Sequence, residues 1–283
     1  MIKSINAWAF PPASRLTDIA RAVHVAGFDA LEVTLEAAGE LAVTTDESSC
    51  RRLADDIRAT GIRIASLGCG LFWESHYTSP DPDVRRKARE LTIAGLDRAR
   101  WIGTDALLVV PGAVTHWSDP TTRIIGYAEA MDLAFEALRT LAPEAEKRGV
   151  VIAIENVWNS FLLSPLEMRD LIDRVHSPFV QAYFDTGNVL KFGFPQDWID
   201  ILGRRIRRVH LKDFKTAVGN ISGFCPLGEG SADWPAIMAA LKRTGYDGPL
   251  TYEGPGDLSD KDTDWSAYLA DVSRRIDRIM GCI

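Results

Sequence analysis

The sequence predicts a (β/α)8 barrel. Strand-like and helical runs alternate from end to end, the strand-like runs number eight, and most of them are apolar on both faces. Parallel strands covered by helices read as such near-continuous Val, Ile and Leu runs. With 283 residues, 46% of them hydrophobic, the chain is long enough for the core of a barrel. A doubly wound sheet is the alternative. It usually carries a glycine-rich phosphate loop after its first strand, and AWAFPPASR has none.

The strands are expected to begin near Ser4 (SINAWAF), Ala30 (ALEVTL), Ile62 (IRIASLG), Ala106 (ALLVVPG), Val150 (VVIAIENV), Val180 (VQAYFDTG), Ile206 (IRRVHLKD) and Pro249 (PLTYEGP). Helices fill the gaps. Residues 83–102 put Ala88, Leu91, Ala94, Gly95 and Ala99 on one face. Residues 124–148 do the same, with a break or kink expected at Pro143. Leu166–Val175, Trp198–Leu202, Trp234–Arg243 and Trp265–Met280 supply four more. Gly61, Gly103, Gly149 and Gly245 each follow a helical run and shortly precede a strand, the C-cap chemistry of an α-to-β turn. Nothing reads as a linker or a repeat, so residues 1–283 are expected to form one barrel domain.

The formal charge of −7 argues against nucleic acid as a partner, because an acidic surface repels phosphate backbones. No run approaches the roughly 18–20 apolar residues of a membrane span, and the N-terminus lacks a secretory apolar stretch. Cys50, Cys69, Cys225 and Cys282 are far apart and form no C-x-x-C pair. A cytoplasmic protein with free thiols is the expectation.

Glu155, Asp185, His210 and Glu253 are each the first ligand-type residue at the end of candidate strands five to eight. Barrel active sites lie at the C-terminal strand ends, so these side chains are expected to converge. One such carboxylate alone is more often a cap or an ion-pair partner; four on consecutive strands point to a divalent-metal site. Three carboxylates and one imidazole suit Mn²⁺ first, then Mg²⁺ or Co²⁺, and Zn²⁺ least.

At these residues the chain resembles the xylose-isomerase-like sugar phosphate isomerase/epimerase superfamily. The carrying segments are IENVWNSFLLSP (154–165), YFDTGNVL (183–190), RVHLKDF (208–214), PLGEGSADWPAIMAALKRTGYDGPLTYEGPG (226–256) and SLGCGLFWESHYTSPDPDVRRKA (66–88). The resemblance implies a TIM barrel holding one metal through Glu155, Asp185, His210 and Glu253. D-T-G-N, H-L-K-D and G-E-G look closest to L-xylulose 5-phosphate or hexulose 6-phosphate 3-epimerases. The free-sugar 3-epimerases usually have His where this chain has Asn188. Endonuclease IV shares the barrel but needs a histidine-rich three-zinc site, and here only His210 of five histidines falls in a matching motif.

The expected chemistry is epimerisation of a ketose or ketose phosphate through a metal-stabilised enediolate, with Glu155 and Glu253 as acid/base pair. A dehydratase of the inosose or dehydroshikimate type is the alternative. Aldose–ketose isomerisation and a sugar-binding barrel without turnover are further variants. Asn188, Lys212, Lys215, Asn156 and Trp158 are the candidate substrate contacts. For Asn188 the competing role is a cap, and for Lys212 an ion pair with Asp185 or Glu253. The Gly228–Glu229–Gly230 turn is read either as an anion cradle or as the set-up of an Asp233 cap. Glu32 is left between the sugar and Lys212. Trp8 and Trp73 are pocket or core residues, and His24, His76, His116 and His176 structural or exposed. Barrels of this family often pair, which implies a homodimer or higher homo-oligomer.

Overall fold

The computed structural model describes residues 1–11, 14–116, 118–254 and 265–282. Eight parallel strands close a barrel: β1 (Ile2–Asn6), β2 (Ala30–Leu35), β3 (Arg63–Cys69), β4 (Ala106–Val109), β5 (Val151–Glu155), β6 (Val180–Asp185), β7 (Ile206–Leu211) and β8 (Pro249–Tyr252). Closure is made by β1, which pairs with β8 through Ile2–Pro249 to Ile5–Tyr252 and with β2 through Ser4–Ala30 to Asn6–Glu32. All residues of β2, β4 and β5 are buried, as two-sided covering requires.

Each strand is followed by a helix: α1 (Leu16–Val25), α2 (Glu47–Ala59), α3 (Pro82–Ile102), α4 (Tyr127–Arg148), α5 (Pro165–Val175), α6 (Pro195–Leu202), α7 (Trp234–Thr244) and α8 (Trp265–Met280). Their starts are written in the chain. Asp46, Asp81 and Asp233 accept hydrogen bonds from first-turn amides, and Ser164 and Glu167 form a capping box ahead of Pro165. Gly103, Gly149 and Gly245 end α3, α4 and α7 in the left-handed region, at φ 77°, 67° and 77°.

Two local expectations change. β1 starts two residues earlier than read and ends at Asn6, where its side chain accepts from Trp8 N and turns Ala7–Ala9 into a 3-10 turn. Pro143 does not break α4. Its face is exposed, so the carbonyl of exposed Arg139 that loses its partner meets water, while Leu138, Leu141, Ala142 and Ala145 pack against the barrel on both sides of it. No helix among the described residues is long and apolar enough to cross a membrane. All four cysteines are free.

Candidate metal centre and active site

β5 and β6 end on Glu155 and Asp185, His210 is the penultimate residue of β7, and Glu253 directly follows β8. The barrel therefore delivers all four to its C-terminal mouth. One ligand atom from each lies within 4.8 Å of the others. His210 Nδ1 sits 3.1 Å from Glu155 Oε1, 2.7 Å from Glu253 Oε2 and 3.9 Å from Asp185 Oδ2. His210 and Asp185 are fully buried, and Glu155 nearly so.

The backbone around Asp185 is fixed by its neighbours. The Asn156 side chain accepts from Asp185 N at 2.9 Å and donates to Asp185 O at 3.0 Å, tying the ends of β5 and β6 together. Asp185 Oδ1 accepts from Asn188 N at 2.7 Å and caps the short turn Thr186–Val189. That leaves Oδ2 facing the cluster. Asn188 Nδ2 donates to Asn156 O, and Trp158 Nε1 donates to Asn188 O. Gly187 is required by close approach: a Cβ there would lie 2.4 Å from Lys212 Cβ.

Lys212 lies one residue past β7, and alternation with His210 still brings it inward. Its Nζ is 3.0 Å from Glu253 Oε2 and 3.3 Å from Asp185 Oδ2. Burial pushes the Glu155 carboxyl up to about 7, with the charge of Glu253 adding to it. Burial also opposes ionisation of Glu253, but Lys212 and His210 more than offset it and hold that carboxyl at about 2. Burial raises the Asp185 carboxyl as well.

This donor set fits a divalent cation. Asp185 Oδ2 and Glu253 Oε2 are buried and lack a well-aligned hydrogen bond, their cationic neighbour being Lys212 Nζ at 3.3 and 3.0 Å. Buried carboxylate oxygens are rarely left so, because the desolvation cost is large. The oxygen-rich set with one imidazole suits a hard or borderline ion.

The remaining sequence candidates fall differently. The amides of Gly228 and Gly230 donate to Asp213 Oδ2 at 2.9 and 3.1 Å, Trp234 Nε1 joins them at 3.2 Å, and Ala232 N donates to Oδ1. An internal carboxylate thus fills the anion cradle read into this turn. Asp233 next to it caps α7. Lys215 is exposed. Trp158 is half-buried among Phe192, Phe214 and Phe224, with Lys191 Nζ 4.3 Å from its ring centre. Trp73 stacks edge-on against His116, and His76 bonds Thr78.

Of the two roles the sequence leaves open for Glu32, the pairing with Lys212 does not form; its partners are Asn6, Ser66, Tyr183 and His210. It is fully buried beneath the cluster and lies 2.7 Å from His210 Nε2. The available signal was a carboxylate in the middle of a run buried on both faces. Tyr183 and Ser66, which join Glu32 there, carried no signal beyond strand alternation.

Residues 20–276 match the family model described as xylose isomerase-like TIM barrel. The putative L-ribulose-5-phosphate 3-epimerase SgbU of Escherichia coli (strain K12) is 26% identical over 233 residues, covering 80% of this chain and 79% of that protein. The L-ribulose-5-phosphate 3-epimerase UlaE of Salmonella paratyphi C (strain RKS4594) is 25% identical over 272 residues, 91% of this chain and 90% of its own. The crystal structure of a D-psicose 3-epimerase in the presence of D-fructose superposes with a TM-score of 0.82 over 99% of this chain and 100% of that one; at 17% identity the likeness is one of fold.

Proposed function

Because the chain belongs to the xylose isomerase-like TIM barrel family, we propose that it is a divalent-metal-dependent sugar epimerase, an isomerase that moves a proton at C3 of a ketose or ketose phosphate. The observation that carries this reading is the cluster of Glu155, Asp185, His210 and Glu253, with its ligand atoms within 4.8 Å of one another and three acids facing only the His210 ring and Lys212. The 3-epimerase names of the relatives support the reaction class.

The four residues would hold the ion, Mn²⁺ by the donor set, and the ion supplies Lewis-acid polarisation of the substrate carbonyl. Epimerisation needs a base on one face of C3 and an acid on the other. Glu155 and Glu253 come from strands on opposite walls and reach a common centre. Without the ion their environments push their acidities apart, Glu155 up to about 7 and Glu253 down to about 2, and a bound cation would favour the ionised form of both. Lys212 holds Glu253 in that ionised state and offers remaining donors to a substrate oxygen. A recess of about 240 Å³ beside Glu253 and Lys212, walled by Ile221, Phe224, Cys225 and Tyr252, receives the carbon chain. Asn156, Asn188 and Trp158 line the same mouth and act mainly by fixing Asp185; Lys215 at the rim is the outer contact.

The test is NMR of free and phosphorylated ketoses in D₂O with Mn²⁺-loaded protein. Deuterium at C3 of one ketose supports the reading. Deuterium at C1 or C2 would make the reaction an aldose–ketose isomerisation, and a product lighter by one water would make the protein a dehydratase. Substrate binding without exchange at any carbon would remove the enzymatic reading.

A further inference from the structure

Beneath the cluster lies a polar group of residues that the reaction does not use. Glu32 is buried in the middle of the barrel, where an isolated carboxylate is costly. It is not isolated. Ser66 Oγ donates to Oε2 at 2.6 Å, Tyr183 OH donates to the same oxygen, and Asn6 Nδ2 donates to Oε1. Asn6, Glu32 and Ser66 are direct cross-strand neighbours on β1, β2 and β3, so the sheet register itself assembles this ring. The fourth neighbour is His210 Nε2, 2.7 Å from Oε1. The Tyr183 ring lies against the imidazole, with centres 4.2 Å apart.

We propose that Glu32 is a positioning residue: it fixes the proton of His210 on Nε2 and so leaves Nδ1 as the nitrogen that faces Glu155, Asp185 and Glu253. This rests on the reading of that cluster as a cation site. A carboxylate that already accepts from three donors accepts from Nε2 as well, so Nε2 carries hydrogen. A neutral imidazole protonated on Nε2 has its lone pair on Nδ1, the atom a metal needs. A carboxylate partner also raises the basicity of the ligating nitrogen, and loss of such a partner typically costs about 10- to 100-fold in metal affinity. Tyr183 adds a second hold, because its hydroxyl grips Glu32 while its ring bounds the tilt of His210.

Glu32→Gln makes a sharp test. Its amide oxygen would face Asn6 Nδ2 and His210 Nε2, which donate there, and its NH₂ would face the Ser66 and Tyr183 hydroxyls, which can accept. The proton then stays on Nε2, but a neutral amide holds it more weakly than a carboxylate does and adds less basicity to Nδ1. Mn²⁺ is titrated calorimetrically, with no sugar present, into chelator-stripped wild type, Glu32→Gln, Ser66→Ala and Tyr183→Phe. The expected Kd rises about 10- to 100-fold in Glu32→Gln and by less in the two single-donor variants. Nitrogen-15 NMR of the Mg²⁺-loaded wild type should find the His210 proton on Nε2. A purely structural role would lower the melting temperature while leaving the Kd of the folded variant unchanged.

A folded Glu32→Gln chain with wild-type Kd, or a wild-type chain with the His210 proton on Nδ1, overturns the inference. If Glu32→Gln does not fold, wild-type Kd in both Ser66→Ala and Tyr183→Phe overturns it. A wild-type chain that takes up no cation removes the proposed function along with it, whereas equal uptake by wild type and variant removes this inference alone.

Discussion

Glu32 and Glu155 are the same residue type, both buried in one barrel, and their acidities move in opposite directions. Burial opposes ionisation in each. At Glu32, His210 together with the Ser66 and Tyr183 hydroxyls reverses that penalty and lowers the pKa. At Glu155 the neighbouring charge of Glu253 adds to the penalty, and the carboxyl is pushed up to about 7. Donors from β1, β3, β6 and β7 surround Glu32. The mouth instead crowds three acids, Glu155, Asp185 and Glu253, around two donors, His210 and Lys212. Saturated polar groups stabilise a structure; crowded, under-donated ones await a positive ligand.

The comparison breaks first at the acids of the mouth. Glu155→Gln and Glu253→Gln keep the shape and remove the proposed proton carriers, so each should lower turnover by about 10²- to 10⁴-fold, measured as the initial rate of C3 deuteration. Full turnover in either variant would take that residue out of the mechanism.

A smaller effect tests how Asp185 is held. Asn156 satisfies both backbone groups of Asp185. Asn156→Ala takes from Asp185 N its side-chain partner, at about 1–3 kcal/mol before water or relaxation repairs it. Denaturant unfolding should report a loss of that order, and cation affinity should fall with it. Unchanged stability would mean that water replaces the side chain without cost.

The pH response sharpens the contrast further. The folded-state pKa of Glu155, about 7, stands above its ordinary 4.5, so the metal-free fold holds a proton that the unfolded chain releases. Its contribution is fully present below about 4.5 and is lost as pH rises through about 7. Metal-free protein should therefore lose stability from this site between pH 5 and 8. A bound cation competes with that proton, so its stabilising effect should grow over the same window. Melting curves with and without Mn²⁺ at pH 5.5, 7 and 8 check the sign; a cation effect that shrinks as pH rises would contradict it.

The smallest change lies on the surface. Arg51 and Glu47 form an exposed i,i+4 pair on α2. Glu47→Gln should shift unfolding by less than about 0.5 kcal/mol and leave cation binding alone. A larger shift would mean that this exposed pair contributes more than solvent-screened pairs ordinarily do.

Much of this was legible in the chain because strand ends announce themselves. Glu155, Asp185, His210 and Glu253 each terminate an apolar run, and the barrel topology converts four strand ends into one place. The glycine caps at Gly103, Gly149 and Gly245 were equally readable, since only the left-handed region ends a helix that way. The role of Glu32 was hidden. Its partners Asn6, Ser66, Tyr183 and His210 come from β1, β3, β6 and β7, and sequence spacing carries no information on cross-strand register. The Gly228–Gly230 turn misled for a related reason. Its amides form a cradle, but the acid filling it, Asp213, is 15 residues away from Gly228 and is brought there by a short two-stranded ribbon of Asp213–Phe214 with Phe224–Cys225.

The most direct measurement is calorimetric titration of Mn²⁺ into chelator-stripped protein, beside the His210→Asn and Asp185→Asn variants. The account predicts saturable uptake of about one ion per chain by the wild type and strongly weakened uptake by both variants, each of which removes a ligand contributed by the β6–β7 pair. Absence of saturable uptake by the intact chain, or uptake that survives both substitutions unchanged, would contradict it.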